Sequence, residues 1–294
     1  MIRCLCFALF LSLTLGLGAE PWTEDWAQAR QTALSSGKPL LVKITGSDWC
    51  LPGQLMESEV YDLPAFQTAA DKFVLVRLDF PHNSTQAERW RVQNREWVAR
   101  NPVDSLPTFF VLDAQGTVLG RWTGVVDGGV PAFLTLTQTF VDRAPALAAL
   151  MKAVVQSAAG TDRARAQDAL FRQAEAWDLT AQYGDLPLKI VQEDKEGKAG
   201  LKARYQVYNA YQRFLASWSE SGDFRRSVTE LDQLATRAQP WPELQQKIVF
   251  TKGMVLLNAL DDELAARDAF RSARGLGVET ATGQQAARLL DTLP

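Results

Sequence analysis

A short apolar run, Leu40 to Ile44, leads into Thr45-Gly46-Ser47-Asp48-Trp49-Cys50-Leu51-Pro52-Gly53, and a polar run of helical character, Gln54 to Tyr61, leaves it. Leu40 to Ile44 is flanked by turn residues and has the length of a central strand, too short for a core helix. A cysteine thus stands where a strand turns into a helix. The first helical N–H groups are unpaired there and the helix dipole is positive, so the position favours a partly exposed thiolate, the reactive form of the side chain. The plainer alternative is a small apolar residue that happens to be cysteine. Either way, a buried strand ending in this turn demands a sheet around it, and that restricts the segments on both sides.

Those segments supply the sheet. Trp22 to Gly37 reads as an amphipathic helix with Thr23 as N-cap and with Trp26, Ala29, Ala33 and Leu34 on one face. After the Cys50 turn, Asp62-Leu63-Pro64 breaks the helix, and Ala65 to Asp71 adds another turn or two. Phe73 to Phe80 is the clearest strand and ends at Pro81-His82. His82 is the single histidine, so no histidine cluster can hold a metal. Its position after a strand gives no specific support for catalysis. Gln86 to Asn101 reads as a helix carrying Trp90 and Trp97 as core or domain-contact aromatics. A loop follows, then Leu106-Pro107-Thr108-Phe109-Phe110-Val111-Leu112, a turn at Ala114-Gln115-Gly116, and a second strand from Thr117 to Trp122. Pro131 to Val141 reads as a helix packed on the sheet.

Trp49-Cys50-Leu51-Pro52 resembles the Trp-Cys-x-x-Cys turn of the thioredoxin superfamily, and is most similar to its secreted bacterial members that carry Gly-Ser-Asp-Trp-Cys. Leu106-Pro107-Thr108-Phe109 resembles that family's cis-proline segment. The resemblance spans Trp22 to Asp142 and implies the α/β thioredoxin-like fold, a central mixed sheet flanked by helices. It also implies that Cys50 is catalytic, that Trp49, Leu106 and Pro107 meet the substrate, and that Asp48 and Pro52 modulate the thiol. Two departures stand out. Gly53 occupies the place of the second, resolving cysteine, and Lys43 lies near where many relatives place a strand carboxylate.

The N-terminus reads as a secretory signal: Arg3, an apolar run from Cys4 to Leu17, and a small-residue exit near Ala19. It is short for a membrane span, with an uncleaved anchor as the alternative. Of three cysteines, Cys4 and Cys6 would leave with residues 1–19, so the exported chain would keep Cys50 alone. Export implies an oxidising compartment, periplasmic or extracellular. The lone thiol is then reactive, paired with another molecule, or inert. Net charge is −3, which gives no reason to expect nucleic acid, and nothing suggests stable membrane association once the signal is removed. Asn83-Ser84-Thr85 is a glycosylation sequon in a eukaryotic setting only.

Residues 20–144 thus read as a thioredoxin-like domain and 145–294 as an all-α domain. Ala146 to Ala158, Thr161 to Gln182 with Thr161 as cap, Leu186 to Glu193, and a helix ending at Trp218 follow one another. Tyr205, Tyr208, Tyr211 and Leu215 recur there at helical spacing, the mark of a helix–helix seam. Ser221-Gly222-Asp223-Phe224 and Leu260-Asp261-Asp262-Glu263 open two similar helices about 39 residues apart, against a period of about 34 in tetratricopeptide repeats. The domain is tetratricopeptide-like in pattern and offers a surface for a protein partner.

Two functions fit. One is an exported monothiol protein that exchanges with protein thiols or disulfides through Cys50, in disulfide exchange, isomerisation or redox sensing, without cofactor or metal. In it, Asp48 either shuttles protons or repels the thiolate. The other is a non-catalytic thioredoxin-fold binding module that works with the helical half.

Overall fold

A computed structural model describes residues 22–83, 86–220 and 222–293. The expected signal segment and the Ser84 and Thr85 positions of the sequon lie outside the described residues. The chain divides into two compact units. One runs to Ala148 and includes Trp177–Gln182; the other comprises Ala149–Ala176 and Tyr183–Pro294.

The first unit contains β1 (Leu40–Thr45), β2 (Val74–Asp79), β3 (Thr108–Leu112) and β4 (Val118–Thr123), in the spatial order β2-β1-β3-β4. β1 pairs parallel with β2 and antiparallel with β3, so the sheet is mixed, and β3 pairs antiparallel with β4. β1 is buried along its whole length, as a strand with neighbours on both edges and helices on both faces must be. Side chains alternate between faces. Phe110 meets Trp97, which also packs on Trp26, so α1 (Trp26–Ser36) and α4 (Glu88–Arg100) cover one face. Phe109 meets Phe133 and Phe140 of α5 (Gly129–Val141), and Phe133 meets Phe66 of α3 (Pro64–Ala70) on the opposite face. Burial of each large aromatic contributes about 1.5–3 kcal/mol, and both layers draw on it.

Three readings from the sequence are corrected here. Thr23 is not a helix cap: it adds a single bridge to the β2 edge at Val76, and Asp25 caps α1 by accepting from the Gln28 amide at 2.9 Å. Leu34 leaves the buried stripe and is 55% exposed, because the Ala29–Ala33 line already fills the contact. The helix after Cys50 is not continuous α-helix. α2 (Leu51–Met56) widens into a π-helical turn, Glu57–Tyr61, closed by the Asp62 amide donating to the Glu57 carbonyl at 2.8 Å. Tyr61 is buried in that turn, while Glu57 reaches Lys43.

In the second unit successive helices pack side by side. They include α7 (Thr161–Ala176), α8 (Leu186–Glu193), α9 (Lys202–Ser217), α10 (Phe224–Arg237), α11 (Pro242–Leu260), α12 (Glu263–Leu276) and α13 (Ala281–Thr292); α6 (Ala144–Gln156) carries the division between the units. Asp223, Asp262 and Thr280 cap three of them by accepting amides of the first turn. The expected helix to Gln182 stops at Ala176, because Asp178 takes the left-handed conformation, φ 57°; a short 3₁₀ turn, Thr180–Tyr183, follows. Tyr205, Tyr208 and Tyr211 do form a seam: the first two pack on Phe171, and the Tyr211 hydroxyl lies 2.6 Å from that of Thr251. Leu215 falls outside this seam, on the exposed side of α9. Gly253 of α11 lets Phe270 of α12 close in, since a Cβ there would stand 2.5 Å from the ring.

Candidate functional site

β1 delivers the chain to a turn held from below by backbone and from the side by the segment after β2. The Cys50 amide donates to the Gly46 carbonyl at 2.7 Å, and the Gln54 amide returns to the Cys50 carbonyl at 3.0 Å, starting α2. The Trp49 ring lies over Gly46, where a Cβ would sit 2.3 Å from the indole, so glycine is required by close approach. The indole N–H donates to the Phe80 carbonyl at 2.8 Å, and the ring stacks on His82 with centroids 4.6 Å apart. Ser47 gives its amide and hydroxyl to the Asp79 carboxylate at 2.9 and 2.6 Å.

Asp48 is the fourth tie. Its carboxylate accepts the His82 and Asn83 amides at 2.9 and 2.7 Å. The Asn83 and His82 amides hold its carboxyl below the ordinary carboxylate range. Both oxygens of Asp48 are engaged in fixing the loop after β2.

Cys50 is the N-cap residue of α2, and its side chain makes no capping bond. Pro52 occupies the first turn and brings no N–H, so the helix start offers one donor fewer than usual. Cys50 is 4% exposed, not partly open as expected, while the adjacent Trp49 is 44% exposed. The turn thus presents its indole and keeps its sulfur covered.

Leu106 is half-buried and Pro107 buried, and the bond between them is cis. Ile44 pairs with Thr108, which sets Pro107 at the end of the sheet where Thr45 begins the cysteine turn. The Pro107 carbonyl accepts the Gly124 amide at 2.8 Å, tying this segment to the end of β4. Trp49, Cys50, Leu106 and Pro107 therefore share one end of the sheet.

Lys43, one pleat below Thr45, is buried with its Nζ 2.5 Å from Glu57 and over the rings of Trp22 and Tyr61 at 4.0 and 4.7 Å. Burial lowers its pKa, against the pull of Glu57. The cation braces the π-helical turn.

Sequence reasoning missed the Ser47–Asp79 and Asp48–His82 ties and undervalued His82, which the fold brings onto Trp49 from 33 positions away. A Ser-Asp pair facing a strand that ends in aspartate was the available signal. Among the described residues no cluster of His, Cys, Asp and Glu could hold a metal ion, and no helix is long and apolar enough to cross a membrane.

Comparison with known proteins bears on the same stretch. The family model described as thioredoxin-like matches residues 21–114. The chain is 31% identical over 113 residues to the disulfide bond reductase DsbH of Chlamydia pneumoniae, covering 38% of this chain and 68% of that protein. It is 32% identical over 95 residues to the thioredoxin-related protein DsbJ of the same organism, covering 32% of this chain and 27% of DsbJ. A solved structure of a DsbH oxidoreductase is 27% identical, with a TM-score of 0.40, covering 45% of this chain and 92% of that one. With a mixed sheet layered by helices on both faces and a cysteine at the strand-to-helix turn of the matched stretch, the chain belongs to the thioredoxin superfamily.

Proposed function

We propose that this chain is an exported protein that exchanges thiols and disulfides with other proteins through Cys50 alone. The observation that carries the reading is the position of Cys50, the N-cap residue of a helix at the end of a buried strand, beside an exposed indole. The similarity to a protein named as a disulfide bond reductase supports the same chemistry.

The Cys50 thiolate attacks one sulfur of a partner's disulfide. A bond forms between Cys50 and that sulfur, the partner's S–S bond breaks, and its other sulfur leaves as a thiolate. Gly53 supplies no second thiol, so a thiol from the partner or from a separate molecule attacks the mixed disulfide. If the attacking thiol is the partner's own, it bonds to the partner's sulfur, Cys50 leaves as the thiolate, and the net result is isomerisation. If it is external, two such thiols are used: the first attacks the Cys50 sulfur and releases the reduced partner, and the second attacks the resulting mixed disulfide, returns the Cys50 thiolate and leaves the two external thiols joined as a disulfide. Trp49, Leu106 and Pro107 form the surface that receives the partner chain. Asp48 and Pro52 shape the turn.

The test is to incubate the full chain with a disulfide-bonded protein substrate and trap mixed disulfides by acid quench. A trapped species that maps to Cys50 and vanishes in Cys50→Ser is expected. A second reading, a non-catalytic binding module, is favoured by the burial of Cys50. It wins if no mixed disulfide forms and Cys50 stays unmodified until the protein unfolds.

A further inference from the structure

Thr45 ends β1 and is 4% exposed, and its hydroxyl makes no hydrogen bond among the described residues, so it is available as a donor. Its direction is defined by Gly53. A Cβ built at residue 53 would meet the Thr45 hydroxyl at 2.5 Å and the Cys50 sulfur at 3.4 Å. Hydroxyl and sulfur therefore flank one point, the place where the side chain of a resolving cysteine would begin.

The sulfur has few other donors. Its side chain takes no capping bond and Pro52 carries no N–H, while burial makes an uncompensated thiolate costly. A neutral hydroxyl is suited to this: it donates to the thiolate when that forms and needs no charge of its own.

We propose that Thr45 is a positioning residue for Cys50, its hydroxyl donating a hydrogen bond to the thiolate, and that glycine at residue 53 is what leaves room for it. The proposal rests on Cys50 being the exchanging thiol. It assigns a use to the missing second cysteine. The place beside the sulfur is given to a group that steadies a thiolate and cannot attack a disulfide, so release of the partner falls to another thiol.

The experiment measures alkylation of Cys50 by iodoacetamide against pH in the full chain. Peptide mass spectrometry follows Cys50 apart from Cys4 and Cys6. Thr45→Val keeps the shape and removes the donor. It should move the midpoint of the profile up by about one pH unit, roughly a tenfold loss of thiolate at neutral pH. Thr45→Ser should restore the profile. Gly53→Ala should displace the hydroxyl and act like Thr45→Val, and the double variant should add nothing further. A Thr45→Val profile that overlays the parent overturns the proposal and leaves Cys50 chemistry standing. If Thr45→Val does not fold, an unmoved midpoint in Gly53→Ala overturns it instead. A parent chain whose Cys50 does not react while folded overturns the functional reading, and this proposal with it.

Discussion

Each unit contains a turn organised by a single aspartate, and the two differ in what depends on it. Asp194, at the end of α8, accepts the amides of Ala199, Leu201 and Lys202 at 2.8, 2.9 and 2.9 Å. It is 2% exposed and joins the end of α8 to the start of α9, where unpaired amides need an acceptor. Asp48 uses the same chemistry on two amides but stands at the surface and ties a loop to a loop. Water can replace Asp48 as an acceptor and cannot readily replace Asp194. The buried aspartate therefore belongs to the stability of its unit, and the exposed one to the shape of the cysteine turn.

The sharpest test of this contrast is Asp194→Ala. Three donors lose a buried charged acceptor, and the cost should be about 3 kcal/mol or more in denaturant unfolding. A loss under about 1 kcal/mol would mean that water enters the turn freely, and the contrast would fail.

Asp48→Ala should leave the unfolding midpoint nearly unchanged while alkylation of Cys50 in the folded protein quickens several-fold, on the order of threefold to tenfold, through more frequent opening of the loop. An unchanged rate would show that the Ser47–Asp79 pair and the Trp49 indole hold the turn by themselves.

Gly53→Cys tests the turn from its other side. The new Cβ would meet the Thr45 hydroxyl at 2.5 Å, so disulfide formation with Cys50 should be slow and should quicken several-fold when Thr45→Ala clears the space. Equal rates would place the barrier elsewhere.

The smallest effect concerns acid. Asn83 and His82 amides depress Asp48; for Asp194 burial pushes up, and the amides of Ala199, Lys202 and Leu201 outweigh it. Both carboxyls are thus depressed, so each contributes stability that is present above the ordinary value of 3.8 and lost as pH falls through the lower folded value. Amide NMR shifts of His82 and Asn83, and of Ala199, Leu201 and Lys202, should move only below pH 3.8. Movement above it in either set would contradict its aspartate's hydrogen bonds.

Much of the first unit was legible because its signals are local. Leu40 to Ile44 and Phe73 to Phe80 read as strands from apolar runs bounded by turn residues, and Leu106-Pro107 was marked by its resemblance to the family's cis-proline segment. The errors at Thr23 and Leu34 have one cause. Cap and face are decided by what packs against the helix, and Asp25 and the Ala29–Ala33 line win that contact. The break after Ala176 was missed because Asp178 in a left-handed conformation has a weak local signature next to the ion pair with Arg121 that accompanies it. In the helical half, the Asp223 and Asp262 caps were readable from residue type, whereas α13 was not identified, its segment being short, small-residue and polar.

The sequence by itself determined that a cysteine follows a buried strand and begins a helix, that no second thiol stands at residue 53, and that helices alone make up the last half of the chain. These follow from residue type and short-range periodicity. Only the tertiary structure decided that the sulfur is covered, that Asp48 grips the loop after β2, that Lys43 finds Glu57 across a π-helical turn, and that Thr45 shares a point with Cys50 and Gly53. Each of these is a meeting of groups brought together by the sheet register and by the seating of α2 on β1. Distances between side chains on different elements are set by packing, and packing has no signature within a single stretch of sequence.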